Sequence, residues 1–332
     1  MPALGAAEWT ELVASTLENH EGTPVDQIFT LHPTLDVLSK YAKPDSGREF
    51  VLNLEVADAD ETEVTDRSGT FNTDANDDHI GAAVYQWSNP YVGKIRLTWQ
   101  DLEENTGKHQ IVNLLESKTA NVKKGHARKI ALGLHKPHAQ INQTAAGREF
   151  LSLDSLISDE YEVGGIDPVA NDWWRAQVLE IAANESATGY QPIRKAFRTM
   201  RNELAVANGA GSKVTHVIAG RDVFEEFEDS FDDKIRYVFD GSQPKDGQAQ
   251  FRGVYDGDTE VRLDPDAPAN VAYFIDVDTM RFKHLNDNMM KVKTEQVITG
   301  TFETVIPLAT VLSLGTNQRR ANAKLIRDYT TV

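Results

Sequence analysis

The sequence contains no cysteine. That absence excludes disulfides, thiolate metal sites and a cysteine nucleophile, so stability has to come from packing and association. Long apolar runs are also missing. No uninterrupted stretch approaches the ~18 residues needed to cross a bilayer, and the N-terminal MPALGAAEWTELVAS lacks the basic-then-apolar order of a secretory signal, so no membrane partner is expected. Basic charge is scarce: 34 Lys and Arg stand against 51 acids, a formal net charge of −17. A protein whose whole surface bound nucleic acid would repel phosphate at that balance, although local basic patches remain compatible with it.

Catalytic patterns are missing as well. There is no GxSxG, HExxH or GxGxxG. His135 and His138 share the stretch HKPH, but Pro137 spoils a helical presentation and no carboxylate lies close in sequence. A turn is the better reading there than a metal site. NTDANDDHIG, from Asn72, begins like a calcium loop, yet Asp77 stands where the sharp turn wants Gly and Ala83 where a bidentate Glu is needed. GAGSK at 209–213 runs Gly-Ser-Lys where a Walker A loop needs Gly-Lys-Ser/Thr, and reads as a helix cap and turn. Neither a cofactor nor a metal is implied, and the chain is not read as an enzyme.

What is present is globular composition, 40% hydrophobic and 26% charged, outside the disordered class. At 332 residues the chain exceeds one average domain, so two compact units, or one with long excursions, are expected. Residues 1–47 combine a helical pattern at Trp9, Leu12, Val13 and Leu17 with Pro24, Pro33 and Pro44, and read as an arm. Residues 48–98 read as a strand (REFVLNLEVADA), a long acidic loop, and a return (AAVYQWSNPYVGKIRLTW). Glu55, Asp58, Asp60, Glu61, Glu63 and Asp66 crowd that loop, and like charges at such density favour a solvated projection.

Thr98 and Asp101 form a capping-box pattern for a short helix that Gly107 interrupts. Residues 108–134 then read as one long helix, on the order of 40 Å. Val112, Leu115, Val122, Ile130 and Leu134 fall on one side of it, and Lys118, Lys124, Arg128 and Lys129 mostly on the other. With Lys108 and Lys123 the helix is a basic rod opposed by the single acid Glu116. Its plain reading is a solvated face; the alternative is a face turned toward nucleic acid.

After a loop at 135–160 comes YEVGGIDPVANDWWR, residues 161–175, which sets a double glycine, an Asp-Pro turn and a tandem tryptophan together with no nucleophile or ligand set beside them. Downstream, Pro192 suits a first turn, and Ile193, Phe197, Met200 and Leu204 recur at helical spacing until Asn208-Gly209. KVTHVIAG reads as a buried strand and RDVFEEFEDSF as a helix burying Val223, Phe224, Phe227 and Phe231. Strands dominate from Gly253 onward, including NVAYFIDV and QVITGTFETVIPLATVLSLG. Long strands on both sides of a helix-bearing middle indicate α+β.

The order of these pieces resembles a known family. An acidic β-excursion ending in Ala83, Tyr85 and Trp87, the TWQDLEENTG helix entry, a long helix, then VGGID and WWR are similar to the major capsid proteins of tailed bacteriophages, with the Hong Kong ninety-seven type fold. The resemblance covers about 45–310, and the order of elements carries it. It implies an N-terminal arm (1–47), an E-loop (48–98), a P-domain with the spine helix (99–179), an A-domain (180–294) and a return to the P-domain (295–332). It further implies a shell of pentamers and hexamers around double-stranded DNA, located in the virion capsid, assembled in the host cytoplasm, with scaffold, portal and decoration proteins as further partners. Gly164, Gly165, Asp167, Trp173, Trp174 and Arg175 are then structural residues of a turn between subdomains, with one Trp in the core and Arg175 meeting an acid. Lys118, Lys124, Arg128 and Lys129 are candidate DNA-facing residues through sequence-independent phosphate contact. The competing readings are an encapsulin-like compartment enclosing protein, and a soluble enzyme of unknown type.

Overall fold

The computed structural model describes residues 32–55, 80–98, 100, 114–181, 192–207, 214–232, 255–256, 259–286, 289, 291–293, 296–297 and 303–328. In chain order the elements begin with helix α1 (Pro33–Lys40), strands β1 (Lys43–Asp45), β2 (Glu49–Glu55), β3 (Ile80–Gln86) and β4 (Tyr91–Thr98). Helix α2 (Leu114–Leu134), the short helix α3 (Leu153–Leu156), β5 (Gln177–Ile181), α4 (Pro192–Ala207), β6 (His216–Ala219) and α5 (Arg221–Asp232) follow. The remainder is β7 (Tyr255–Asp256), β8 (Thr259–Leu263), β9 (Val271–Ile275), β10 (Met280–Leu285), β11 (Lys291–Val292), β12 (Gln296–Val297), β13 (Glu303–Thr310), β14 (Leu312–Thr316) and β15 (Ala323–Arg327). The chain divides into two compact units: Met1–Leu31, Pro90–Ile130 and Asp287–Val311 form one, and His32–Asn89, Ala131–Asn286 and Leu312–Val332 the other.

The larger unit is built on a six-stranded mixed sheet of order β5-β15-β9-β6-β8-β7. Helix α4 repeats Ile193, Phe197, Met200 and Leu204 along one stripe, and all four are buried with Val217, Val223, Phe227, Phe274 and Leu325. Phe197 lies at the centre, stacked on Phe227 at 4.3 Å and edge-on to Phe274 at 5.0 Å. Burial of each such side chain stabilises by about 2–3 kcal/mol. Strand β9, VAYFI, is buried at every position, which explains its unbroken apolar run: both faces are covered. Two smaller assemblies complete this unit. One is a three-stranded sheet of order β1-β10-β14, with β1 parallel to β10. The other is the β2–β3 hairpin, registered from Glu49 opposite Gln86 to Glu55 opposite Ile80.

In the smaller unit β13 pairs with β4 over eight residues, Tyr91 opposite Thr310 through Thr98 opposite Glu303, and with β11 and β12 on its other edge. Pro307 sits in the middle of β13, where a missing N–H would break a continuous ladder. It is tolerated because its carbonyl faces β11, accepting from Lys293 N at 2.8 Å, and the pairing on that edge then passes from β11 to β12. A Cβ at Gly93 would come within 2.8 Å of Val122 Cγ1, so this glycine is what lets the α2 segment of the unit sit close on β4.

Two readings of the sequence change. The return stretch after Trp87 does not extend the hairpin: β4 takes a partner more than two hundred residues away, a choice that apolar alternation cannot specify. The Pro-punctuated stretch holds a real helix, α1, because Pro33 occupies its first turn, where a missing N–H costs nothing; Leu35, Val37 and Leu38 are buried. Helix α2 is described from Leu114, and its expected start at 108 lies outside the described residues, as do Trp9–Leu17, most of the acidic loop, the capping-box helix, the calcium-like stretch through His79, GAGSK and the side chain of Phe231.

Candidate assembly site

The YEVGGIDPVANDWWR stretch folds into two consecutive turns in the larger unit. Val163 and Ile166 exchange backbone hydrogen bonds, Ile166 N to Val163 O at 3.2 Å and the reverse at 3.3 Å. Between them Gly164 (φ 69) and Gly165 (φ 78) both occupy the left-handed region, as a two-residue hairpin turn of the primed type requires. Asp167 caps the next turn, its Oδ1 accepting from Val169 N at 2.8 Å and its carbonyl from Asn171 N at 3.1 Å. The tandem then divides. Trp174 is 1% exposed and donates its indole N–H to Val163 O at 3.0 Å, whereas Trp173 stays half-buried, its ring tilted 57° to that of Trp174. Arg175 reaches Asp172 at 3.4 Å on the exposed side.

What the turn holds is the hairpin. Gly164 O accepts from Val84 N of β3 at 3.0 Å, and a Cβ on Gly164 would come within 2.8 Å of Ala83 Cβ. Close approach and backbone angle therefore select glycine independently. On the same strand Tyr85 stacks on Phe50 of β2 at 5.0 Å, and its hydroxyl donates to Thr316 O at 2.8 Å while accepting from Thr316 N at 3.1 Å. Burial pushes the Tyr85 phenol up to about 12, so it remains a donor at any physiological pH. The base of the hairpin is clamped to β14 and to the glycine turn, while the 56–79 segment that leaves it lies outside the described residues.

Two buried polar clusters escaped the sequence reading. His135, at the end of α2, places Nε2 3.0 Å from Thr34 Oγ1 and 3.2 Å from Asp264 Oδ2. Thr34 donates both its hydroxyl and its backbone N–H to the same carboxylate oxygen. Burial of Asp264 acts to raise its pKa, but the hydrogen bonds from His135 and Thr34 outweigh it and hold the carboxyl at about 2. Beside it His32 Nδ1 lies 2.6 Å from Asp266 Oδ2. Thus the carboxylate missing from the sequence around HKPH is supplied from 129 positions away. His138 goes elsewhere, stacked on Tyr161 at 3.9 Å with Nδ1 at 3.0 Å from Ser155 Oγ. The second cluster centres on Arg319, 1% exposed, which donates to Leu156 O at 2.7 Å and Ser155 O at 3.1 Å. Burial lowers its pKa to about 10, still leaving it cationic.

In the smaller unit α2 turns Val122, His126 and Ile130 inward; His126 Nε2 sits 2.9 Å from Thr310 Oγ1, and burial lowers its pKa. Lys124, Arg128 and Lys129 are exposed and Lys118 half-exposed. Among the described residues no group of three or more His, Asp or Glu is arranged to hold a metal ion, and no helix is long and apolar enough to cross a membrane.

No protein-family model matches the chain, and no curated protein does. Solved structures do. The cyanophage A-1(L) capsid asymmetric unit is similar at TM-score 0.67 and 16% identity, over 95% of this chain and 97% of that one. The capsid of the cyanophage P-SCSP1u gives 0.59 at 9% identity over 95% and 93%. The holo-SrpI encapsulin complex from Synechococcus elongatus PCC 7942 gives 0.55 at 10% identity over 96% of both chains. Similarity of this extent across the full length of each chain means that this protein has the α+β fold of these shell proteins, the Hong Kong ninety-seven type seen in tailed-phage major capsid proteins.

Proposed function

We propose that this chain is the major capsid protein of a tailed phage, self-assembling into a closed icosahedral head around double-stranded DNA, and that its role is structural and not catalytic. The observation that supports this most directly is its end-to-end similarity to the cyanophage A-1(L) capsid subunit. In this reading 1–47 is the N-terminal arm, the β2–β3 hairpin with its intervening segment is the E-loop, α2 is the spine helix of the P-domain, and 180–294 is the A-domain. Extended pieces of this kind are completed by neighbours around closed symmetry axes, giving pentamers and hexamers. The exposed Lys124, Arg128 and Lys129, with Lys118, supply sequence-independent phosphate contacts toward packaged DNA, a local basic face in a chain of net charge −17. Scaffold, portal and decoration proteins are its further partners, the virion its location and the host cytoplasm the place of assembly.

Similarity to the encapsulin favours a second reading, a compartment that encloses protein. Electron microscopy of purified particles, with nuclease protection of their contents, separates the two. Closed shells holding protected DNA are expected; shells holding a protein cargo and no nucleic acid would transfer the assignment to the compartment. A compact monomer under every assembly condition would defeat both.

A further inference from the structure

We propose that one buried water molecule joins the His135 imidazole to the Tyr273 hydroxyl, and that through it Tyr273 positions His135 for its contact with helix α1. Two buried polar atoms carry the inference. Among the described residues His135 Nδ1 and Tyr273 Oη have no hydrogen-bond partner, and they belong to neighbouring rings whose centroids lie 5.9 Å apart at a tilt of 37°. The two residues are 4% and 0% exposed. A buried polar group without a partner costs stability, so two of them on adjacent rings point to a partner held in common.

The chemistry on each side defines what that partner must do. His135 Nε2 faces Asp264, whose ionised carboxyl can only accept, so Nε2 carries the ring proton and Nδ1 is left as a lone pair that needs a donor. On the other side burial, reinforced by the charge of Asp154, pushes the Tyr273 phenol up, and its hydroxyl keeps a proton that needs an acceptor. Asp154 itself is committed elsewhere, to Lys324 Nζ at 3.0 Å and to the backbone N–H of His138 at 3.0 Å. Water donates to one atom while accepting from the other, and is the usual guest of buried polar pairs. The bridge has a consequence for α1. Thr34 gives its hydroxyl and its backbone N–H to Asp264 Oδ2, the oxygen that His135 Nε2 approaches at 3.2 Å. Were the ring proton to move to Nδ1, a bare Nε2 would face that oxygen, lone pair against lone pair. A water donating to Nδ1 blocks this tautomer. Strand β9, central in the six-stranded sheet, thereby holds α1 through a water and an imidazole.

The sign of one substitution tests it. Tyr273→Phe deletes the hydroxyl and little else; with the bridge in place it strands Nδ1, and the full chain should melt about 2–6 °C lower. His135→Gln keeps an N–H at the Nε2 position and has no atom at Nδ1, so in that background Tyr273→Phe should be neutral or stabilising. Imaging the ring nitrogens by 15N spectroscopy of histidine-labelled subunits gives a readout that lost packing alone does not move, and serves if His135→Gln fails to fold. The parent should show His135 as the Nε2–H tautomer alone, and Tyr273→Phe a mixture. A Tyr273→Phe chain that melts with or above the parent overturns the proposal, because a buried hydroxyl without a partner is better removed. An equal loss in the Gln background, or an unchanged tautomer in Tyr273→Phe, overturns it too. So does a high-resolution map in which a protein group stands between the two atoms, or in which they touch directly.

Discussion

Trp174 donates its indole N–H to the carbonyl of Val163, eleven residues earlier, at 3.0 Å. That bond ties the tandem tryptophan to the turn whose Gly164 grips β3. Trp174→Ala should therefore cost roughly 3–5 kcal/mol in urea unfolding. Trp173→Ala, at a half-buried ring, should cost under about 1.5 kcal/mol. Equal losses from the two would show that the tandem does not divide as described.

The two glycines beside it separate two causes. Gly164→Ala meets both a left-handed backbone and Ala83, and should destabilise by about 2–4 kcal/mol; Gly165→Ala meets the backbone penalty alone, with nothing within 4 Å of its Cβ, and should cost about 1 kcal/mol. Adding Ala83→Gly should recover part of the first loss and none of the second, read by thermal denaturation. An unchanged Gly164→Ala deficit in the double variant would remove Ala83 as the cause.

Acid should loosen the subunit at Asp264. Its folded pKa of about 2 lies below the ordinary carboxylate value, so the stability it contributes is present above that ordinary value and is lost as pH falls toward 2. The size is about 2 kcal/mol. Asp264→Asn should lower stability at neutral pH and flatten its decline between about pH 4 and pH 2. A variant whose acid profile superimposes on the parent's would place the titration elsewhere.

Replacing Lys124, Arg128 and Lys129 by Gln should leave the melting temperature nearly unchanged, since all three are exposed. If they bind DNA, the log–log slope of affinity against salt should shrink by about 2–3, near one unit for each phosphate that is no longer neutralised. An identical slope would return that helix face to the role of ordinary solvated surface.

No lysine occurs between Lys43 and Lys94, so the excursion carries no amine that could attack a neighbour's side chain at its tip. Particles boiled in detergent should run as one band near 36.9 kDa. A ladder of multiples would reveal a covalent link built from other residues.

Local periodicity accounts for what could be read in advance. The stripe Ile193, Phe197, Met200, Leu204 and the unbroken run of β9 were legible because helix and doubly covered strand each leave a pattern within a few residues. The glycine turn was legible as a turn, but not its purpose, since Ala83 lies some eighty residues away. Partner choice leaves no local trace, so β13 beside β4 and Asp264 beside His135 could not be found. Arg319 was hidden for another reason: a cation in a polar run is ordinarily exposed, and the carbonyls of Ser155 and Leu156 that permit its burial have no sequence signature.

The place of β15 in the sheet bears on how the protein is made. Residues 323–327 insert between β5 and β9, and β5 joins the sheet through them. During synthesis the strand at 177–181 therefore waits, its edge open, until residues 323–327 have left the ribosome. A chain cut short before Ala323 cannot close this sheet at all, so it stays in the pool that chaperones and proteases survey. Closure of the sheet is thereby tied to synthesis of residues 323–327, and copies that lack them are kept out of the folded pool by topology.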